Sequence, residues 1–327
     1  MIVYLLKIVN GILEGDRRSL SRAISLIDNE EGEYQEIISQ IFKKTGKAMT
    51  IGFTGPGGAG KSSLIGKLVV EFKNFGYKIA IIAVDPTSAI SGGAILGDRI
   101  RMQGNIIDNS NVYMRSIASR GAIGGVSKSL RNIIRVLDAA GYNLIIVESV
   151  GAGQLEIEVS KIVNLTIVLF TPNTGDKVQA IKAGLTEIGD IYIVNKADIE
   201  GANNLYNILR DLIGETEKKP TILKCSAKTG VGIKEIAEKV DQMLKDRVHN
   251  FKEKELGLLE IELKDMVLNI LEHKILNMLN NSSVYYNLIN KIQNKKTNPY
   301  QAAEHLASIF LKNTINEYPK NIKNIRS

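Results

Sequence analysis

The chain has 327 residues, 44% of them hydrophobic, and its 42 basic and 35 acidic side chains leave a formal charge of +7. That much apolar sequence supports a full core and excludes the disordered classes, while one cysteine and three histidines exclude a disulfide scaffold and a Cys-rich zinc site. The opposite charges are interspersed without an arginine–aromatic stripe, which argues against a nucleic-acid partner; the dense basic tracts at 291–296 and 320–326 read as solvated helix faces or tail.

No run approaches the roughly 18 apolar residues of a membrane span. The opening MIVYLLKIVNG lacks a basic start and a small-residue cleavage site, so it predicts a packed first helix, and the expected location is cytoplasmic. Three amphipathic helices are predicted over 2–13, 17–27 and 33–44, forming a helical extension at 1–46 that must cover something.

At 50–64 the sequence TIGFTGPGGAGKSSL runs from a strand pattern through a phosphate-loop motif into a helix pattern. A polyphosphate needs successive inward N–H groups. The backbone of Gly55, Gly57, Gly58, Ala59 and Gly60 supplies them, and side chains at Gly57, Gly58 and Gly60 would hinder the close approach. Lys61 is placed to reach the β- and γ-phosphates and Ser62 to put its hydroxyl on Mg²⁺, with the helix opened by Ser62 and Ser63 adding its dipole.

From there to about residue 250, short β-branched runs alternate with helical patterns, which predicts an α/β domain at 47–250 with a doubly wound, mostly parallel sheet. Its ligand should lie beyond the carboxyl ends of the strands. The second strand ends in Asp85, and the loop behind it carries Ser88, Ser91, Asp98, Arg99 and Arg101. A carboxylate beside a triphosphate makes sense with a cation, so Asp85 and Asp98 are candidate Mg²⁺ ligands, directly or through water; a surface ion pair is the other reading of Asp98 and Arg99. The fourth strand ends in Glu148, followed by Gly151, Gly153 and Gln154. Glu148 can hold a metal-bound water, a glycine N–H can meet the γ-phosphate, and Gln154 either orients attacking water or is merely solvated.

After the strand IYIV comes Asn195-Lys196-Ala197-Asp198. Asp198 can accept both donors of the guanine N1–H and N2–H₂ edge, Asn195 can reach N7, and the Lys196 stem can lie along the ring. Ser226-Ala227-Lys228 supplies a second contact, chiefly the Ala227 N–H to the guanine carbonyl. Beyond residue 250 the strands stop. One or two long amphipathic helices over 253–279, then helices near 284–295 and 300–313, make a helical region at 251–327 that either packs back or pairs with another subunit.

The segments EGDRRSLSRAISLID, VDPTSAISGGAILGDRIRM, MRSIASRGAIGGVSKSL and AAGYNLIIVESVGAGQLEIEV, with the phosphate loop and NKAD, resemble the methylmalonyl-CoA-mutase-associated GTPases, once labelled arginine/ornithine transport ATPases. The likeness covers roughly residues 10–200; Gly57 stands where the family usually has proline. The resemblance implies a P-loop fold, Mg²⁺-dependent hydrolysis of GTP to GDP, no tightly bound redox cofactor, and an adenosylcobalamin-dependent acyl-CoA mutase as partner, with the GTPase as its chaperone. It also implies that Lys61 and Ser62 hold phosphates and Mg²⁺, that Asp85, Asp98 and Glu148 organise the metal and water, that the loops at 119–128 move with the nucleotide, and that the C-terminal helices make a homodimer; Lys61, Asp98 and Glu148, with Gln154 from its place behind the fourth strand, are the candidates for hydrolysis. A metal-inserting GTPase, a small-molecule or transport-associated kinase, and a GTP-holding module without turnover are the competing readings; Cys225, His249, His273 and His305 are too few and too scattered to favour the first.

Overall fold

The computed structural model describes residues 2–32, 34–85, 111–118, 125–149, 154–172, 185–213, 220–246 and 251–317. In chain order these hold α1 (Ile2–Glu14), α2 (Arg17–Asp28), α3 (Tyr34–Ile41), β1 (Met49–Thr54), α4 (Lys61–Asn74), β2 (Ile79–Asp85), β3 (Val112–Ala118), α5 (Gly125–Ala139), β4 (Leu144–Ser149) and α6 (Gln154–Ser160). There follow β5 (Leu165–Phe170), α7 (Leu185–Ile188), β6 (Ile191–Val194), α8 (Ala202–Ile213), β7 (Thr221–Lys224), α9 (Ile233–Asp246), α10 (Phe251–Asn280), α11 (Ser283–Gln293) and α12 (Pro299–Glu317). The chain divides into two compact units, Met1–Leu256 and Gly257–Ser327.

In the first unit seven parallel strands form one sheet in the order β3-β2-β4-β1-β5-β6-β7. Every residue of β4 and β5 is buried, as continuous apolar strands are when helices cover both faces. On one face α4 and α9 pack Leu64, Leu68, Phe72, Ile236 and Val240 against Ile51, Phe53, Ile81, Ile146 and Ile167. The chain crosses from β4 to β5 over the central β1, so a crevice opens at the carboxyl ends of these three strands.

The opposite face explains the first 46 residues. Ile8 and Ile12 of α1, Leu20 and Ile24 of α2, and Ile37 and Ile41 of α3 join Ile133 and Leu137 of α5 and Ile82, Ile145 and Val147 of the sheet in one core. Polar ties fix this packing at the sheet edge: Arg17 donates to Val112 O (2.6 Å), Arg115 to Ser25 Oγ (2.9 Å), and the Ser21 and Tyr113 hydroxyls lie 3.2 Å apart. Arg17 thereby satisfies a carbonyl of β3, a strand at the end of the sheet. Asp138, buried on α5, accepts from the N–H groups of Gly46, Lys47 and Ala48 in the connection to β1. Burial pushes its carboxyl above the ordinary value, against the pull of those three donors.

Helix ends follow local chemistry. Asp16 caps α2, its carboxylate accepting from the Ser19 N–H (2.8 Å). Both α4 and α5 stop at a Gly-Tyr pair: Gly76 (φ 89°) and Gly141 (φ 81°) take the left-handed turn, and the tyrosine N–H that follows bonds back to Phe72 O and Leu137 O at 3.1 Å. The third predicted helix is shorter than its pattern suggested, because 42–44 tighten into a 3-10 turn.

In the second unit, Ser282 caps α11 and the Asn298 side-chain carbonyl accepts from the Gln301 N–H ahead of α12, with Pro299 in the first turn where its missing N–H costs nothing. The 253–279 pattern is a single helix, α10, and it is apolar around much of its circumference, with Leu263 65%, Ile270 57% and Leu268 53% exposed.

Candidate functional site

The phosphate loop leaves β1 at Gly55, whose φ of 137° and close approach to Leu169 O admit no side chain. Gly60, at φ 85°, caps α4 without a side chain, which leaves the first-turn N–H groups of Lys61, Ser62 and Ser63 suited to an anion. A Cβ on Gly60 would fall 2.5 Å from Asn195 Nδ2, whereas Gly57 and Gly58 have open space around them. Of the three glycines, then, Gly60 alone is dictated by a protein neighbour, and Gly58 by its φ of 74°. Gly57 has room for a Cβ. Lys61 is 6% exposed, and its ammonium donates to Gly55 O (2.7 Å) and Pro56 O (3.1 Å), spanning the loop's root.

Glu148 reaches the loop from β4. It is in register with Phe53 of β1 and shares that residue's face, toward α4, where the Ser62 hydroxyl donates to Glu148 Oε1 at 2.6 Å. The carboxylate is 3% exposed. A buried acid beside a serine hydroxyl at a polyphosphate cradle is an all-oxygen donor pair, the kind a hard divalent cation such as Mg²⁺ takes, so these residues fit that ion. Asp85 ends β2, with its side chain outside the described residues; Gln154 opens α6, likewise with its side chain outside them. Asp98, Arg99 and the segments 86–110, 119–124 and 150–153 also lie outside.

The base end is built on β6 and β7. Asn195 is 1% exposed and works as a cross-link: its Nδ2 donates to Ala59 O (2.8 Å), and its Oδ1 accepts from the Ala227 N–H (3.1 Å) and lies 3.5 Å from Cys225 Sγ. The Ala227 N–H, read in the sequence as a donor to the guanine carbonyl, is therefore directed at Asn195 here. The amide of Asn195 retains a second N–H that can serve a purine N7. Lys196 takes a left-handed backbone (φ 57°), and the Ala197 N–H bonds to Cys225 O (2.9 Å), fixing the turn that presents Asp198. Asp198 is exposed, and the Ser226 hydroxyl bonded to it, followed by its own N–H, holds its carboxyl below the ordinary value, with Lys228 and Lys196 adding weaker pulls. Ser226 is itself fixed, being 1% exposed and accepting from the Thr229 N–H at 3.1 Å.

The arrangement thus gathers Lys61, Ser62 and Glu148 at one end and Asn195, Asp198 and Ser226 at the other, with Asn195 joining the two through Ala59. Sequence reasoning missed Thr54 and Ser149, the last residues of β1 and β4, both fully buried and hydrogen-bonded to each other. The signal was slight: each is a hydroxyl at the last position of a strand that is buried along almost its whole length.

The sequence profile of the family described as "Methylmalonyl Co-A mutase-associated GTPase MeaB" matches residues 20–280. A putative GTPase of Pyrococcus horikoshii is 41% identical over 309 residues, covering 91% of this chain and 96% of that protein. The GTPase ArgK of Escherichia coli is 35% identical over 242 residues, 70% of this chain and 72% of its own length. The mouse protein named methylmalonic aciduria type A homolog, mitochondrial, is 31% identical over 255 residues, 70% of this chain and 60% of that one. In fold, the chain is similar to a crystal structure titled LAO/AO transport system kinase, with a TM-score of 0.66 at 24% identity over 94% of this chain and 98% of that one. With a phosphate loop, a buried strand-end acid beside it and the Asn195–Asp198 turn tied to that loop through Ala59, and with that profile across most of its length, the chain belongs to the MeaB family of methylmalonyl-CoA mutase-associated GTPases.

Proposed function

We propose that this GTPase depends on Mg²⁺ and works in the cytoplasm as a nucleotide-switched chaperone for an adenosylcobalamin-dependent acyl-CoA mutase of the methylmalonyl-CoA type. The family match carries the partner, and the 2.6 Å Ser62–Glu148 contact carries the metal. When bound there, Mg²⁺ would neutralise charge on the β- and γ-phosphates. Lys61 supplies a fixed positive charge where negative charge gathers, Glu148 accepts a proton or a hydrogen bond at the strand end, and Asp85, Asp98 and Gln154 are the remaining candidates for ordering metal and water.

The metal-inserting alternative is disfavoured by Cys225, which is buried and whose thiol burial pushes up to about 12, a poor ligand at neutral pH. A kinase reading would need an acceptor pocket with a general base, and nothing among the described site residues calls for one.

Homodimerisation is part of the same proposal. The apolar residues of α10 are exposed far beyond what an isolated surface helix tolerates, and two-fold pairing is the commonest way to cover them. One experiment addresses both claims. The chain, loaded with a non-hydrolysable GTP analogue or with GDP, is immobilised and offered purified methylmalonyl-CoA mutase, and the mass of the free chain in solution is measured separately by light scattering. A dimer that binds mutase more tightly in one nucleotide state, and hydrolyses GTP faster with it, is the expected result, since linkage requires that preference to be reciprocal. A mutase that neither binds nor alters turnover removes the chaperone role. A monomer at micromolar concentration removes the dimer.

A further inference from the structure

The backbone pairing between β1 and β4 ends at Phe53 and Glu148. One residue beyond it, at the last position of each strand, Ser149 Oγ donates to Thr54 Oγ1 at 3.0 Å, with Phe53 O a longer second acceptor at 3.4 Å. Both residues are 0% exposed. Valine is close to Thr54 in size and alanine to Ser149, and neither would carry a hydroxyl to desolvate, so burial alone does not account for the pair.

We propose that Thr54 and Ser149 are positioning residues for hydrolysis, a hydroxyl latch that sets the spacing between the phosphate loop and the strand end bearing Glu148. Successive residues of a strand point to opposite faces: Glu148 faces α4 and the Ser62 hydroxyl, while Ser149 lies on the other face with Thr54. The two contacts close a ring. It runs from Thr54 along the loop to Ser62, across to Glu148, through one peptide to Ser149, and back to Thr54. If Ser62 and Glu148 turn to a cation, the direct bond between them is given up. The Thr54–Ser149 bond does not depend on that exchange, so it remains as the tie that keeps the two oxygens at a separation one ion can bridge.

The latch rests on the Mg²⁺ assignment of Ser62 and Glu148 proposed above, and the test separates the two. Calorimetric titration of GDP at graded Mg²⁺ concentrations is compared for the wild-type chain, Ser149→Ala, Thr54→Val, the double variant and Ser149→Thr, alongside kcat for GTP and the melting temperature. Ser149→Ala is expected to raise the Mg²⁺ concentration that half-saturates the effect on GDP affinity, and to lower kcat, each by about tenfold, as loss of groups that orient metal ligands does. Mg²⁺-free GDP affinity should not change. Thr54→Val should reproduce these effects, the double variant should add little to either, and Ser149→Thr, which keeps the hydroxyl, should restore them. A Mg²⁺ dependence and kcat in Ser149→Ala equal to wild type overturn the latch. So does an equal loss of Mg²⁺-free GDP affinity, which marks a purely structural role. Wild-type GDP affinity that ignores Mg²⁺ overturns the metal assignment and the latch together. Should Ser149→Ala fail to fold, Thr54→Val and Ser149→Thr distinguish the same outcomes.

Discussion

Lys61→Ala is expected to reduce kcat for GTP by roughly 10²–10³-fold while GDP still binds measurably. The ammonium is held at the loop's root by two carbonyls, 2.7 and 3.1 Å away, and is 6% exposed, so its charge acts in a site largely closed to water. Loss of one preorganised charge that stabilises a transferring phosphoryl group costs about that factor, because the interaction strengthens as negative charge accumulates on the oxygens. Ground-state GDP lacks the γ-phosphate and should lose less. Single-turnover hydrolysis, fluorescent-GDP binding and a melting curve on the same preparation separate these effects. An unchanged single-turnover rate in a folded variant would take Lys61 out of the site.

The second large effect is a change of base. Asp198→Asn should weaken GTP binding by roughly two orders of magnitude or more, since a site built around a donor edge discriminates strongly once its acceptor is altered. Xanthosine triphosphate, which presents an acceptor where guanine presents its amino group, should gain relative to GTP. Ser226 and the Asp198 N–H hold the carboxyl below the ordinary aspartate value. The sign follows: guanine recognition needs the ionised form, so it should persist as pH falls until that depressed value is reached, and Ser226→Ala should move its loss to higher pH. Competition titrations of GTP, ATP and xanthosine triphosphate from pH 7 downward would measure both. Equal affinity of the wild-type chain for ATP and GTP would defeat the guanine assignment.

The parts of this molecule legible in its sequence are those whose chemistry is local. Gly55, Gly60, Lys61 and Ser62 lie within one loop and Asn195 and Asp198 within another, so each motif can be read from a short run of residues without knowing the fold. The alternation of apolar strands and helices was enough for the parallel sheet. What did not show was what depends on two distant segments meeting. That Asn195 spends its amide on Ala59 and Ala227 requires β6 and β7 to deliver it beside the phosphate loop. Thr54 and Ser149, 95 residues apart, become a pair only when β4 lies beside β1. Likewise, helical periodicity says that 1–46 has apolar faces; only the fold says that α5 and the sheet receive them.

That last arrangement bears on how the chain is made. Arg17 meets Val112 across 95 residues, and Asp138 meets Gly46 across 92. A ribosome adding about 5–20 residues per second needs roughly 5–20 s to span such a gap. Throughout that interval Ile8, Ile12, Leu20 and Ile24 are already synthesised while the surface that will bury them is not. The helices of 1–46 therefore wait for partners made much later, and the nascent chain carries an uncovered apolar segment until β3 and α5 have emerged.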